Sequence, residues 1–371
     1  GNAAGEKAFL FFGLRRGGRA YYGLDVTDIE NPRLMWKISN TTRCTGVSCS
    51  ASADFAAMGY AWSSPAVGRL RAIGDPSVPA LIFGGGHDPN EDNASIAAAD
   101  SMGRAVYFIR GDDSALLKAF KHDNTGNMDF SIPSDVAALN TDMDSQNYLD
   151  RAYVGDMAAN VWRFDFNNAD PAAWTAKHFA ALSDPFALPG TAPNRKILFP
   201  PAVVKQNFKG QRYDAVYVGT GDREHPLNTA SVDKMFMLKD TGVGLAASAD
   251  PTIVYPGNLL DITSSFDETD FNTLLGGTPW SMKTGWYMNF ASGEKMTSSP
   301  TVYRNILSFS TYSPNLSINA CVPPGKGVLY GMNALDGSVI SGTYAAGMGV
   351  TAQQRRQYVG LAVRGYIPTG S

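Results

Sequence analysis

Long apolar runs are missing from this chain of 371 residues, and none approaches the roughly 18 residues that a membrane-spanning helix needs. Histidine is scarce. His87, His122, His178 and His225 lie far apart, and no Ser or Cys elbow stands beside any of them, so nucleophilic catalysis finds no foothold. No glycine-rich phosphate loop precedes a helical pattern, which removes nucleotide chemistry. Net charge is −3 with no dense Lys/Arg run, so a nucleic-acid footprint is absent as well.

Cysteine is nearly absent too, with three in all. Cys44 and Cys49 lie in a Thr/Ser/Gly-rich loop at a spacing that permits a local disulfide and favours an oxidising compartment. Cys321 is left over, either free or paired outside this chain. A metal reading of these thiols is poor, because no His lies near them.

What is abundant is turn chemistry and strand chemistry. The chain has 38 Gly and 21 Pro among well-represented Tyr and Phe, a composition that fits many short strands joined by turns. Segments led by proline recur at Pro65, Pro133, Pro200, Pro300 and Pro368, spaced by 68, 67, 100 and 68 residues. Near-constant spacing marks a repeat architecture. After each proline-led strand comes an apolar strand ending in Gly, as in Ala80–Gly84 and Ala215–Gly219. An aromatic-rich strand, a polar turn and a weaker fourth strand follow. Four antiparallel strands per unit predict an all-β fold, a modified β-propeller with long decorating loops. We read residues 1–371 as one propeller domain, with a partial blade over 1–61 and repeats starting near 62, 131, 197 and 296. The long step contains an insertion over about 241–286, without helical periodicity, which reads as a loop excursion. The start at Gly1 reads as a piece of a longer precursor, so the lack of a signal peptide does not define the compartment.

The densest chemical signal is Asp142-Met-Asp144-Ser-Gln146-Asn-Tyr148-Leu-Asp150. Oxygen-bearing side chains at alternate positions suit a hard cation such as calcium, which takes six to eight oxygens. Asp142, Asp144 and Gln146 take the first, third and fifth positions of the loop. Asn147 falls where the chain must pass through a left-handed conformation. Tyr148 offers its backbone carbonyl, Leu149 points inward and Asp150 closes the ring. A second register starting at Asn140 uses the same three aspartates, and a solvated acidic turn is the plain alternative.

Other polar segments carry weaker signals. Gly84–Asp92 reads as a polar loop before a second ion site, and Gly219–His225 as an ion-paired staple before a catalytic cluster. Arg110-Gly111-Asp112 matches an integrin-type tripeptide but also suits a polar turn. Trp36, Trp162 and Trp174 read as packing between blades.

The runs Met128–Asp135, Asp150–Asp156 and Val161–Asp165 around the acidic loop closely resemble the C-terminal domain of the PilY/PilC type IV pilus-tip family. So do Gly18–Asp28, Phe83–Asp92, Tyr217–Glu224 and Lys295–Ser299. The resemblance implies a seven-bladed propeller, incomplete in this chain, that is secreted through the periplasm and carried extracellularly at the pilus tip. It implies roles in pilus assembly, in opposing retraction during twitching motility, and in adhesion to host-cell or abiotic surfaces, with minor pilins as partners. It also implies a regulatory calcium ion held by Asp142, Asp144 and Asp150 with the Tyr148 carbonyl. Gln146 and Asn147 depart from the family, which usually has Asp or Asn followed by Gly. The family's N-terminal adhesive region, with a von Willebrand-like module, is not part of the sequence. The enzymatic alternative is a calcium-dependent quinoprotein dehydrogenase of the PQQ type, another periplasmic propeller. Such enzymes stack their quinone on adjacent cysteines, and this chain has no such pair.

Overall fold

In the computed structural model, the described residues are 6–93, 100–125, 128–143, 145–183, 195–229, 231–242, 253–315, 325–340 and, for the backbone alone, 356–359. They form five β-sheets, taken in chain order. The chain divides into two compact units: residues 1–94, 98–157 and 162–178 form the first, and 95–97, 158–161 and 179–371 the second.

The first sheet runs β1 (Phe9–Gly13), β2 (Ala20–Asp25), β3 (Arg33–Ser39), β4 (Thr42–Thr45) and β5 (Ser48–Ala51). A partial blade with a cysteine-bearing loop was expected over this stretch. Instead the cysteine loop is itself a hairpin, with Cys44 directly opposite Cys49 and the two joined by a disulfide. The second sheet is β6 (Ala66–Gly68), β7 (Ala80–Gly84), β8 (Ala105–Arg110) and β9 (Leu116–Lys121). The third is β10 (Ala137–Leu139), β11 (Arg151–Gly155), β12 (Asn160–Asp165) and β13 (Thr175–Ala181).

The apolar run of β8 follows from burial on both faces. Side chains alternate across a strand, so Tyr107 and Ile109 join Trp36, Leu81 and Phe83 in one core while Val106 and Phe108 join Ile82, Val154 and Phe164 in another. A strand sandwiched this way reads as continuously hydrophobic rather than alternating. Trp36 is fully buried, and its indole Nε1 donates to the Gly111 carbonyl in the β8–β9 turn at 2.8 Å.

In the second unit the fourth sheet holds β14 (Ala202–Phe208), β15 (Gln211–Gly219), β16 (Lys234–Asp240), β17 (Leu260–Asp261) and β18 (Gly285–Asn289). The fifth holds β19 (Lys295–Met296), β20 (Thr301–Tyr303), β21 (Ile306–Pro314), β22 (Gly325–Asn333) and β23 (Arg356–Val359). Both β19 and β20 pair with β21, so the opening strand is interrupted around Pro300, which has no N–H for the ladder. The tryptophan device recurs here: buried Trp286 on β18 donates to the Leu335 carbonyl in the turn after β22 at 3.1 Å.

The insertion is not a plain loop excursion. It contains an eight-residue helix, Glu268–Leu275, and the parallel strand β17 beside β18. The Asp267 side chain accepts from the Asp270 amide, the Asp270 carboxylate accepts from the Phe266 amide, and Gly276 ends the helix with φ 58°. This reciprocal capping holds a helix too short to be stable alone. Its face packs Phe271 and Leu275 into the same core as Trp280 and Trp286. The proline-led segment at Pro368, Cys321, and part of the insertion (243–252) lie outside the described residues.

Candidate metal centre

The acidic segment is the connection between β10 and β11. β10 is an edge strand, and its register ends with Leu139 opposite Arg151, so residues 140–150 form the hairpin loop. The loop neck closes on itself, the Asp150 amide donating to the Leu139 carbonyl at 2.8 Å.

Asp150 is buried, with 4% of its surface exposed. Its carboxylate accepts from the Thr141 amide at 2.9 and 3.0 Å, from the Thr141 hydroxyl at 3.0 Å and from the Asp142 amide at 3.2 Å. Because several lone pairs on each carboxylate oxygen can accept, this pattern folds the loop inward around one anionic group. Asn147 sits at φ 57°, the left-handed bend expected there, and Met143 takes a similar conformation at φ 54°. The Asn140 side chain donates to Asn147 Oδ1 at 3.2 Å, while its own Oδ1 is buried with no hydrogen-bond partner among the described residues.

Leu149 does point inward, joining the second-and-third-sheet core. Its tip lies where Gly68 has no side chain: a Cβ there would be 2.2 Å from Leu149 Cδ1. Tyr148 forms a parallel bridge with Arg69, and the Leu149 amide donates to the Arg69 carbonyl at 2.9 Å. Gln146 is exposed, and its backbone carbonyl takes a long 3.5 Å contact from Arg69 Nη1. Asp142 is half-exposed and paired with Arg71, Nη2 to Oδ2 at 3.3 Å. Asp144 lies outside the described residues. Asp142, Gln146, Tyr148 and Asp150 thus share one tight hairpin loop. Asn140, Arg69 and Arg71 stand beside them, and the two arginines carried no local sequence signal.

Side chains of the competing segments are tied into the fold by local hydrogen bonds. Asp88 caps the 3-10 turn Pro89–Asp92 and accepts from the Ser101 amide and hydroxyl and the Met102 amide. Asp222 accepts from the Glu224 and His225 amides and from His225 Nδ1 at 2.7 Å, with Lys196 Nζ 3.5 Å away. That is the staple. Arg110 folds back on Asp112 in a fork of 3.1 and 2.7 Å, and Gly111 is tied to Pro79 and Trp36. The tripeptide is a closed turn. Trp36, Trp162 and Trp174 are all buried.

A family model described as the PilY1 beta-propeller domain matches residues 2–222, more than half of the chain. The chain belongs to the PilY1 β-propeller family. It is 22% identical over 393 residues to a type IV pilus biogenesis factor PilY1 homolog of Xylella fastidiosa, covering 98% of this chain and 24% of that protein. With the type IV pilus biogenesis factor PilY1 of Pseudomonas aeruginosa the identity is 23% over 376 residues, covering 90% of this chain and 29% of that one. The chain therefore spans about a quarter of the length of the curated PilY1 relatives it matches. The crystal structure of the P. aeruginosa PilY1 C-terminal domain superposes with a TM-score of 0.63 at 19% identity, over 90% of this chain and 69% of that one. The all-β propeller expectation is thereby met, and among the described residues five sheets stand against the seven implied for the family's domain. No described helix is long and apolar enough to cross a membrane.

Proposed function

We propose that this PilY1-family propeller is a non-enzymatic module of a type IV pilus biogenesis factor, working at the pilus tip on the cell surface, where it influences extension against retraction and surface adhesion. Minor pilins are the partners this reading names. The curated PilY1 relatives, all described as pilus biogenesis factors, support the class of process.

A calcium ion in the 140–150 loop is the control element of this proposal. The donor set is all oxygen, as a hard cation requires. The observation that carries the fit is the buried Oδ1 of Asn140, which has no hydrogen-bond partner among the described residues, at the neck of a loop curled around the Asp150 carboxylate. A buried acceptor left without a donor is costly, and a cation would relieve it. Asn140, Asp142, Asp144, Asp150 and the Tyr148 carbonyl would hold the ion, with Gln146 as the weaker donor of the other register. When bound, calcium supplies charge neutralisation and a rigid loop, not chemistry.

The test exchanges Asp142 and Asp150 for Ala in the full parent protein and measures surface piliation and twitching motility with and without calcium. The expected outcome is a calcium response in the wild type that both variants lose. Equal piliation and motility in all cases, at every calcium level, would remove the control role. The quinoprotein alternative gains no supporting observation, since Cys44 and Cys49 face each other across a hairpin and are not adjacent in sequence.

A further inference from the structure

Beyond the end of β6 at Gly68 the chain continues through Arg69, Leu70 and Arg71, and Arg69 bridges the loop at Tyr148. Arg71 meets the loop at two points and is held at a third, Asn167, outside it. Its Nη2 is 3.3 Å from Asp142 Oδ2, its Nε donates to Asn167 Oδ1 at 2.7 Å, and its guanidinium carbon stands 4.8 Å from the Tyr148 ring centroid. One cationic side chain therefore engages a candidate ligand carboxylate and stacks on the residue whose carbonyl is another candidate ligand.

We propose that Arg71 is the loop's built-in cation: in metal-free protein its guanidinium neutralises Asp142, and a divalent ion binds by displacing it. This rests on the calcium reading of the loop. A guanidinium only donates, so on Asp142 Oδ2 it occupies lone pairs that a metal needs. It also carries the same sign of charge as the ion, and two like charges a few ångströms apart in a partly buried site repel strongly. The two cannot share Asp142 without cost. Arg71 is still tethered after release, because Asn167 and the Tyr148 ring hold it without help from Asp142. The exchange thus becomes a swing of one side chain on the 69–71 segment. That segment is also bridged to the loop through Arg69 and Tyr148. Metal occupancy is in this way coupled to the seam between the second and third sheets, and affinity is set below what the oxygen donors alone would give.

The experiment titrates calcium chloride calorimetrically into the wild-type chain and into Arg71→Gln. Arg71→Met, which keeps an apolar stem against Tyr148, is the second charge-free variant in case one folds poorly. Thermal midpoints are taken in chelator and at saturating calcium. Both variants are expected to bind calcium about tenfold more tightly, a gain of about 1.4 kcal/mol. They should also melt lower than wild type in chelator and recover that difference with calcium. Calcium binding by a variant alone, with none by wild type, would support the exchange equally. Wild-type binding that is unchanged or weakened in both variants overturns the role of Arg71 and leaves the calcium site standing. Failure of all three proteins to bind overturns the calcium reading and this exchange together.

Discussion

Asp150 reaches nine residues back along the chain to take the Thr141 amide on both of its carboxylate oxygens, at 2.9 and 3.0 Å. This contact closes the 140–150 loop on itself. Asp150→Ala should therefore destabilise the chain even in chelator, by about 2–4 kcal/mol, because the Thr141 and Asp142 amides lose a buried, charged acceptor. Asp142→Asn, at a half-exposed site, should cost less than about 1 kcal/mol in chelator. Denaturant midpoints with and without chelator separate the two effects.

A second expectation concerns pH. Burial, with Glu91 and Asp88 adding like charge, pushes the Asp100 carboxyl up to about 7. The native state thus holds a proton that the unfolded chain releases near pH 4. The stabilising contribution is fully present below that point and is lost as pH rises to about 7, a change on the order of a few kcal/mol. Asp100→Asn keeps an acceptor for the Ser131 amide and should flatten stability between pH 4 and 7. Denaturant unfolding across that range is the measurement. A wild-type profile that stays flat there would contradict the assignment.

The Cys44–Cys49 bridge closes a very short loop. Loop-closure entropy for such a span is worth about 2 kcal/mol. Cys44→Ser with Cys49→Ser should lower the unfolding free energy by that amount and leave the calcium titration of the chain unchanged, which denaturant unfolding and calorimetry on the double variant would check.

Phe271 anchors the insertion helix, buried against Phe208 and Trp280 with ring centroids 5.8 and 5.4 Å away. Phe271→Ala should cost about 3–5 kcal/mol. A change near zero in the denaturant midpoint would mean that the insertion is peripheral after all.

The repeat was readable because proline and glycine punctuate it: Pro65, Pro133 and Pro200 each lie just ahead of an opening strand, β6, β10 and β14. The insertion helix was hard to read because only Phe271 and Leu275 mark its buried face. Its real signals were the Asp267 and Asp270 caps and Gly276. The Cys44–Cys49 hairpin was hidden by short polar strands whose pairing no hydrophobic alternation announces. In the 140–150 loop, Asn147 and Leu149 behave as their residue types dictate. Arg71 was invisible because it lies 71 residues from Asp142 and meets it only through the packing of two sheets.

The central claim is that the loop from Asn140 to Asp150 takes up a calcium ion. Calorimetric titration of the purified chain, after chelator treatment, tests it most directly. One site with Kd in the weak extracellular range of roughly 10⁻⁴ to 10⁻³ M, lost in Asp142→Ala and Asp150→Ala, is the expected result. No binding heat at millimolar calcium, with a melting temperature identical in calcium and in chelator, would contradict it.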